Sequence, residues 1–277
     1  GPFGDIRLRQ AVAMCMDRQA VVDTVMFGQS IVLDTYIPPD HPLFNDEVTS
    51  WPFDVEAASA LLDEIGWLDD DGDPVTPRVA SGVTGVPDGT PLEFSYGTTS
   101  ATQRQQATQV MGESMALCGM KVNLEYYPAS EWFADGPDGA LFGRRTDLGQ
   151  FAWLTGVEPS CNLYQTENIP GPEDEINPYT GKLYTFGWGG QNQTGWSNPE
   201  YDAICNGALQ SLPGQPAYEE NHLEAQRIFG AELPVVPLYL RLKLAATRPD
   251  MCDFIMDQTN NSEFWNVENF GYGPLCE

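Results

Sequence analysis

Apolar positions recur every three to four residues through Ile6, Leu8, Val12 and Cys15, and again through Val21, Val22 and Val25. Asp5 and Asp17 stand just ahead of the two runs, where a short acceptor side chain satisfies the free amides of a first helical turn, and Gly28 closes the second. Two short helices are expected there. The cluster Pro38-Pro39 with His41-Pro42 forces irregular, extended backbone. Asp54 then caps a third helix, which turns Val55, Ala58, Leu61, Leu62 and Ile65 inward and stops at Gly66. The run Asp69-Asp70-Asp71-Gly72-Asp73-Pro74 has the composition of a calcium loop but not its spacing, since Pro74 occupies the glycine position and no Glu follows at the twelfth. A turn is expected instead.

Further along, the period drops to two. Leu92 to Tyr96 and Val122 to Tyr126 alternate like strands, and Thr102 to Cys118 between them is polar enough for an exposed helix ended by Gly119. This is a βαβ unit, expected to cross over right-handed onto a parallel neighbour. Asp147 to Trp153 reads as a further strand. Residues 154–197 are rich in Gly, Pro, Asn and Thr and predict a long surface excursion, a kind of segment that is usually functional or disordered. Tyr201 to Leu212 and Pro216 to Glu232 read as helices, the second with Leu223, Ile228, Phe229 and Leu233 toward the core. The nearly unbroken apolar run Val235 to Ala245 predicts a strand buried on both faces. The fold class expected is α/β, a small mixed β-sheet flanked by helices.

Composition narrows the partners. The chain has 277 residues, 42% of them hydrophobic, enough to bury a sizeable core. Thirteen Lys and Arg against forty Asp and Glu give a formal charge of -27, a field that repels phosphate backbones and so excludes nucleic acid. No stretch of about 18 apolar residues is present to span a bilayer. Six cysteines, Cys15, Cys118, Cys161, Cys205, Cys252 and Cys276, lie far apart, with no nearby Cys or His to complete a zinc site. Their even number and wide spacing favour disulfides and an oxidising, extracytoplasmic compartment, with buried thiols as the alternative. Spacing leaves the connectivity open; the set expected is Cys252 with Cys276 pinning the tail, Cys161 with Cys205 tying a loop to a helix, and Cys15 with Cys118 by remainder.

Catalytic machinery is thinly supplied. His41 and His222 are the two histidines, and nucleophile elbow, zinc-protease, P-loop and dinucleotide motifs are all missing, so no cofactor or metal is expected. Forty acids leave one enzymatic alternative, a secreted glycoside hydrolase working with two carboxylates. Better supplied is a set of aromatic and amide side chains: Trp153, Tyr164, Trp188, Gln191, Asn192, Gln193, Thr194 and Trp196. Ring-lined walls with a few hydrogen-bonding groups suit reversible capture of a small polar molecule, although each tryptophan taken singly is as well explained by core packing.

Four ordered pieces carry a resemblance. They are Leu8-Arg9-Gln10-Ala11 followed by Asp17-Arg18; Leu61-Leu62-Asp63-Glu64-Ile65-Gly66-Trp67; Asn198-Pro199-Glu200-Tyr201-Asp202; and Leu233-Pro234-Val235-Val236-Pro237-Leu238-Tyr239. Together they resemble the C-terminal half of the peptide-type, family 5 substrate-binding proteins of ABC importers. The resemblance implies a periplasmic-binding-protein-like (type II) fold of two lobes, with residues 1–245 as the ligand-binding lobe and 246–277 as a tail returning to a first lobe that this chain lacks. It further implies a monomeric protein, periplasmic or lipid-anchored at the cell surface, that closes on a small molecule or peptide and docks on an ABC permease. Peptide binders of this family often carry W-x-x-D, whose Asp pairs with the ligand's α-ammonium. Here Trp153 is followed by Leu154, Thr155 and Gly156, so that Asp is missing from its place, and Glu158, two residues on, would substitute for it if the loop bends differently. The ligand-binding set expected is Trp153, Thr155, Glu158, Gln191, Asn192, Thr194 and Trp196.

Overall fold

Three aspartates open the first three helices. Asp5 accepts from the Arg7 amide ahead of α1 (Ile6–Cys15), Asp17 from Ala20 ahead of α2 (Arg18–Thr24), and Asp54 from Ala57 ahead of α3 (Val55–Ile65). The computed structural model that shows these caps describes residues 1–73, 75–257, 260 and 262–273. Helix α3 ends where Gly66 takes φ +107°, and a Cβ there would sit 2.4 Å from the Ser81 carbonyl oxygen. Both the sign of φ and the lack of space demand glycine. Trp67 follows, buried in β1 (Trp67–Leu68), which pairs antiparallel with β2 (Val79–Ala80). The acidic run between them is a turn, as expected: Asp69 accepts from the amides of Asp71 and Gly72, and Asp71 from that of Asp73.

The βαβ unit is β3 (Glu93–Thr99), α4 (Thr102–Ala116) and β4 (Lys121–Tyr127), with the strands parallel from Glu93 opposite Lys121 to Thr99 opposite Tyr127. After the short α5 (Ala129–Trp132), β5 (Leu148–Gly149) adds in parallel on the other side of β3, giving the order β4-β3-β5. Gly97 is fixed by that layout, because a Cβ would lie 2.8 Å from both the buried Trp132 ring and Thr146. The α/β class holds, with the main sheet wholly parallel and the antiparallel pairs standing apart as two-stranded sheets. Helix α4 is less exposed than its composition suggests: Ala107, Thr108, Met111 and Met115, spaced by about one turn, form a thin buried stripe. The strand expected over residues 147–153 pairs only at Leu148 and Gly149 before the chain turns out of the sheet.

A second cluster gathers around α6 (Pro199–Leu209) and α7 (Pro216–Glu232), where Tyr201, Ala225, Ile228 and Phe229 pack on Tyr164 and Cys161. Asn198 caps α6 by accepting from the amides of Glu200 and Tyr201. Residues 154–197 are therefore not a simple surface excursion. Cys161, Tyr164, Gln165, Thr166, Asn168 and Ile169 are all buried, held against the helices by side-chain bonds such as Thr166 N to Asp202 at 2.9 Å. Disulfides Cys15–Cys118 and Cys161–Cys205 form as expected, one in each cluster. The third expected pair involves Cys276, which lies outside the described residues.

The apolar run from Val235 does not make a buried strand. It is an irregular ribbon that bridges residues 31–33 at Tyr239, through bonds from Leu33 N to Leu238 O and from Leu240 N to Ile31 O. Pro234 and Pro237 lack the amide a ladder requires, and beyond Leu240 the chain turns toward solvent. Buried arginines fasten it instead. Arg18 donates to the carbonyls of Leu33, Trp51 and Pro237 at 2.6 to 2.7 Å, and Arg9 to those of Glu232 and Leu233. The first and last of the four sequence pieces thus clamp each other. In the tail, β6 (Met251–Cys252) pairs antiparallel with β7 (Gly271–Tyr272).

Candidate functional site

Ligands of open parallel sheets collect outside the carboxyl ends of the strands, where backbone groups and loop side chains are left unpaired. Here that edge is formed by Thr98 and Thr99 of β3, Tyr127 of β4 and Gln150 just past β5. The chain closes it with Ser100 N to Tyr127 O at 2.7 Å, Gln150 N to Gly97 O at 2.9 Å and Thr98 Oγ1 to Gln150 O at 2.9 Å. Gln150 is fixed by these bonds and buried, and its side-chain nitrogen donates to the Tyr239 hydroxyl at 3.3 Å while Oε1 has no partner. Burial pushes the Tyr239 phenol up, and the charge of Arg104 pulls the other way. A hydrogen bond with Glu125 raises Tyr127 to about 12, so it stays protonated at neutral pH.

Beside these groups runs an aromatic ladder. Phe133, Phe151 and Trp153 meet edge to face, with ring centroids 6.5 and 5.3 Å apart. Trp153 is 43% exposed and Phe133 45%, so the ladder presents aromatic surface to solvent. Thr155 is half-buried in the loop that follows, and Glu158 is exposed, close enough to Tyr218 of α7 to raise its pKa alongside burial.

The other expected site residues fall into a different neighbourhood. Asn192 is buried, its amide donating to the carbonyls of Tyr164, Gln165 and Trp196 and accepting from Thr194 Oγ1. Trp196 packs edge to face on Tyr201, centroids 5.0 Å apart, and Gln191 donates to Gly189 O. Trp188 covers Gly136, where a Cβ would lie 2.2 Å from the ring. Asn192, Thr194 and Trp196 therefore organise the loop over the second cluster, while Trp153 and Thr155 belong to the sheet edge. Two surface hollows of about 380 and 460 Å³ flank α4 elsewhere, and none of these residues lines them. Sequence reading passed over Gln150, Tyr239 and Arg104; the adjacency of Gln150 to Trp153 was the one signal available.

An exposed aromatic surface next to the carboxyl edge of a parallel sheet, on a scaffold of sheet and helices, suits reversible capture of a solute. The chain belongs to the bacterial extracellular solute-binding proteins, family 5, whose middle region matches residues 1–169. It is 23% identical to heme-binding protein A of Haemophilus influenzae over 96% of this chain and 42% of that protein. It is 24% identical to di/tripeptide-binding protein 2 of Pseudomonas aeruginosa over 96% of this chain and 43% of that one. Among solved structures, the oligopeptide-binding protein of Thermus thermophilus complexed with a pentapeptide superimposes with a TM-score of 0.77 at 26% identity, covering 97% of this chain and 44% of that chain. The chain thus spans less than half the length of these relatives. These relatives are named as binding proteins, not as enzymes. Among the described residues, no helix is long and apolar enough to cross a membrane.

Proposed function

We propose that this chain is the C-terminal lobe of the extracytoplasmic substrate-binding component of an ABC importer, and that a small polar solute or peptide is held at the carboxyl edge of its sheet. The solute is taken between this lobe and a companion lobe, toward which the segment from residue 246 returns, and the closed form presents it to a membrane permease. The whole protein acts as a monomer, anchored by lipid at the cell surface or free in the periplasm. Closure follows from the solute touching both lobes, so the shift in population equals its preference for the closed form.

The observation that carries this reading is the Phe133–Phe151–Trp153 ladder, whose Phe133 and Trp153 stand exposed next to the carboxyl edge of the sheet. Trp153 and Thr155 contact the solute and Glu158 borders it, while Asn192, Gln191, Thr194 and Trp196 hold the neighbouring loop in shape. Relatives named for heme and for di- and tripeptides support a binder without choosing the solute. The hydrolase alternative gains nothing from the relatives, which are named as binding proteins.

The test is calorimetry on the full-length protein with the solute that native mass spectrometry finds on it. Trp153→Ala is expected to weaken binding at least tenfold without moving the melting temperature. Undiminished affinity in that variant would place the solute elsewhere.

A further inference from the structure

Between Gln150, fixed at the end of the sheet, and the buried Pro159, the segment Phe151 to Glu158 crosses from the parallel sheet toward the second hydrophobic cluster. It carries Trp153 and Thr155. Among the described residues, none of its amides or side chains makes a hydrogen bond, and of its carbonyls Val157 O alone accepts one, from His41 Nε2 at 3.0 Å. Ring packing of Phe151 against Phe133 and Trp153 supports the first half of the segment, and the second half hangs on the histidine.

His41 itself stands on a firm base. Its amide donates to Pro38 O and its carbonyl accepts from Phe44 N, both at 3.0 Å, and its Nδ1 accepts from Leu43 N at 3.0 Å. Gln226 of α7, wholly buried, donates to Leu43 O at 2.8 Å and accepts from Asn45 N at 3.1 Å, and the Asn45 side chain donates to Leu223 O at 2.9 Å. The imidazole therefore projects from a turn that is bolted to α7. A backbone amide can only donate and a carbonyl only accept, so the ring's roles are fixed: Nδ1 is the acceptor and Nε2 carries the hydrogen. An acceptor beside the chain and a donor across a rigid ring is what this position uses, and no lysine or asparagine offers both.

We propose that His41 is a positioning residue of the solute site, tethering the segment Phe151 to Glu158 so that Trp153 and Thr155 stand in place before the solute arrives. This rests on the solute-binding reading above and adds how that site is kept in shape. His41 acts through the segment and not on the solute. A loop already ordered in the free protein does not have to be ordered during binding, so the tether moves an entropic cost out of the binding step and into folding.

The experiment uses the full-length protein labelled with fluorotryptophan, the Trp153 fluorine signal being the one that Trp153→Phe removes. His41→Asn keeps an acceptor for the Leu43 amide, as an Asx turn does, but is too short to reach Val157, whereas His41→Gln keeps a donor near the place of Nε2. In the solute-free protein, His41→Asn is expected to shift and sharpen the Trp153 signal toward that of a solvent-exposed indole, with the other tryptophan signals and the melting temperature unchanged. His41→Gln should return it part of the way. Calorimetry with the solute that native mass spectrometry finds on the protein, or with trialanine where none is retained, should show affinity about three- to tenfold weaker in His41→Asn, the worth of one hydrogen bond, and partly recovered in His41→Gln. An unmoved Trp153 signal, a change spread over all tryptophans with a lowered melting temperature, or no recovery in His41→Gln would overturn the positioning role. Trp153→Ala separates the two readings: binding weakened there but equal to wild type in His41→Asn removes the tether's role alone, whereas binding unaltered in both removes the solute site as well.

Discussion

At the scale of single residues, similar side chains do different work. Asn192 is a polar residue in a loop whose amide is spent entirely on the loop, so Asn192→Ala leaves buried carbonyls unpaired and is expected to cost roughly 2 to 3 kcal/mol in urea unfolding. Trp153, with nearly half its surface open, should cost far less when truncated. His222 is buried with neither ring nitrogen bonded among the described residues, and burial, then the charge of His41, holds its pKa below the ordinary value. The unfolded chain therefore takes up this proton first as pH falls past about 6.5, and the native state loses stability below that pH while keeping it above. Chemical denaturation between pH 7.5 and 5 should show that slope, and it should flatten in His222→Phe. Neither role was legible in the sequence, because an amide in a Gly- and Thr-rich stretch and a histidine on an amphipathic helix look alike whether buried or bound.

At the scale of elements, the sequence was most informative where a local rule suffices. Asp5, Asp17, Asp54 and Asn198 mark their helix starts by capping chemistry alone, and Gly66 marks an end by its left-handed φ. It was least informative where tertiary context decides. The polar surface of α4 hides a stripe only one side chain wide, so its composition reads as solvent-facing. Met111→Ala, at the centre of that stripe and wholly buried, is expected to destabilise by about 2 to 5 kcal/mol, and Gln109→Ala on the outer face by less than about 0.5, by thermal or urea unfolding. Val235 to Ala245 misled for the converse reason: apolar character suggested a central strand, but two prolines and the arginine clamps make it a ribbon.

At the scale of the whole molecule, the two hydrophobic clusters each carry their own crosslink. Cys15–Cys118 closes 103 residues and Cys161–Cys205 closes 44, so the chain-entropy account gives about 4 to 5 kcal/mol for each. A Cys161→Ala/Cys205→Ala protein is expected to unfold first around α6 and α7, with hydrogen exchange in α1 and α4 protected longer. The likeness to bilobal relatives was legible because its four motifs are internal staples, with Arg9 and Arg18 reaching the ribbon that holds Tyr239; the solute was not, because its partners converge only in space. The pairing pattern bears on biogenesis. In a chain exported N-terminus first, Cys15, Cys118, Cys161 and Cys205 emerge in the order in which they join, each with its neighbour in that series. An oxidase that couples consecutive thiols would then make both bonds without a shuffling catalyst, and oxidative refolding with glutathione disulfide alone should recover them with few scrambled species.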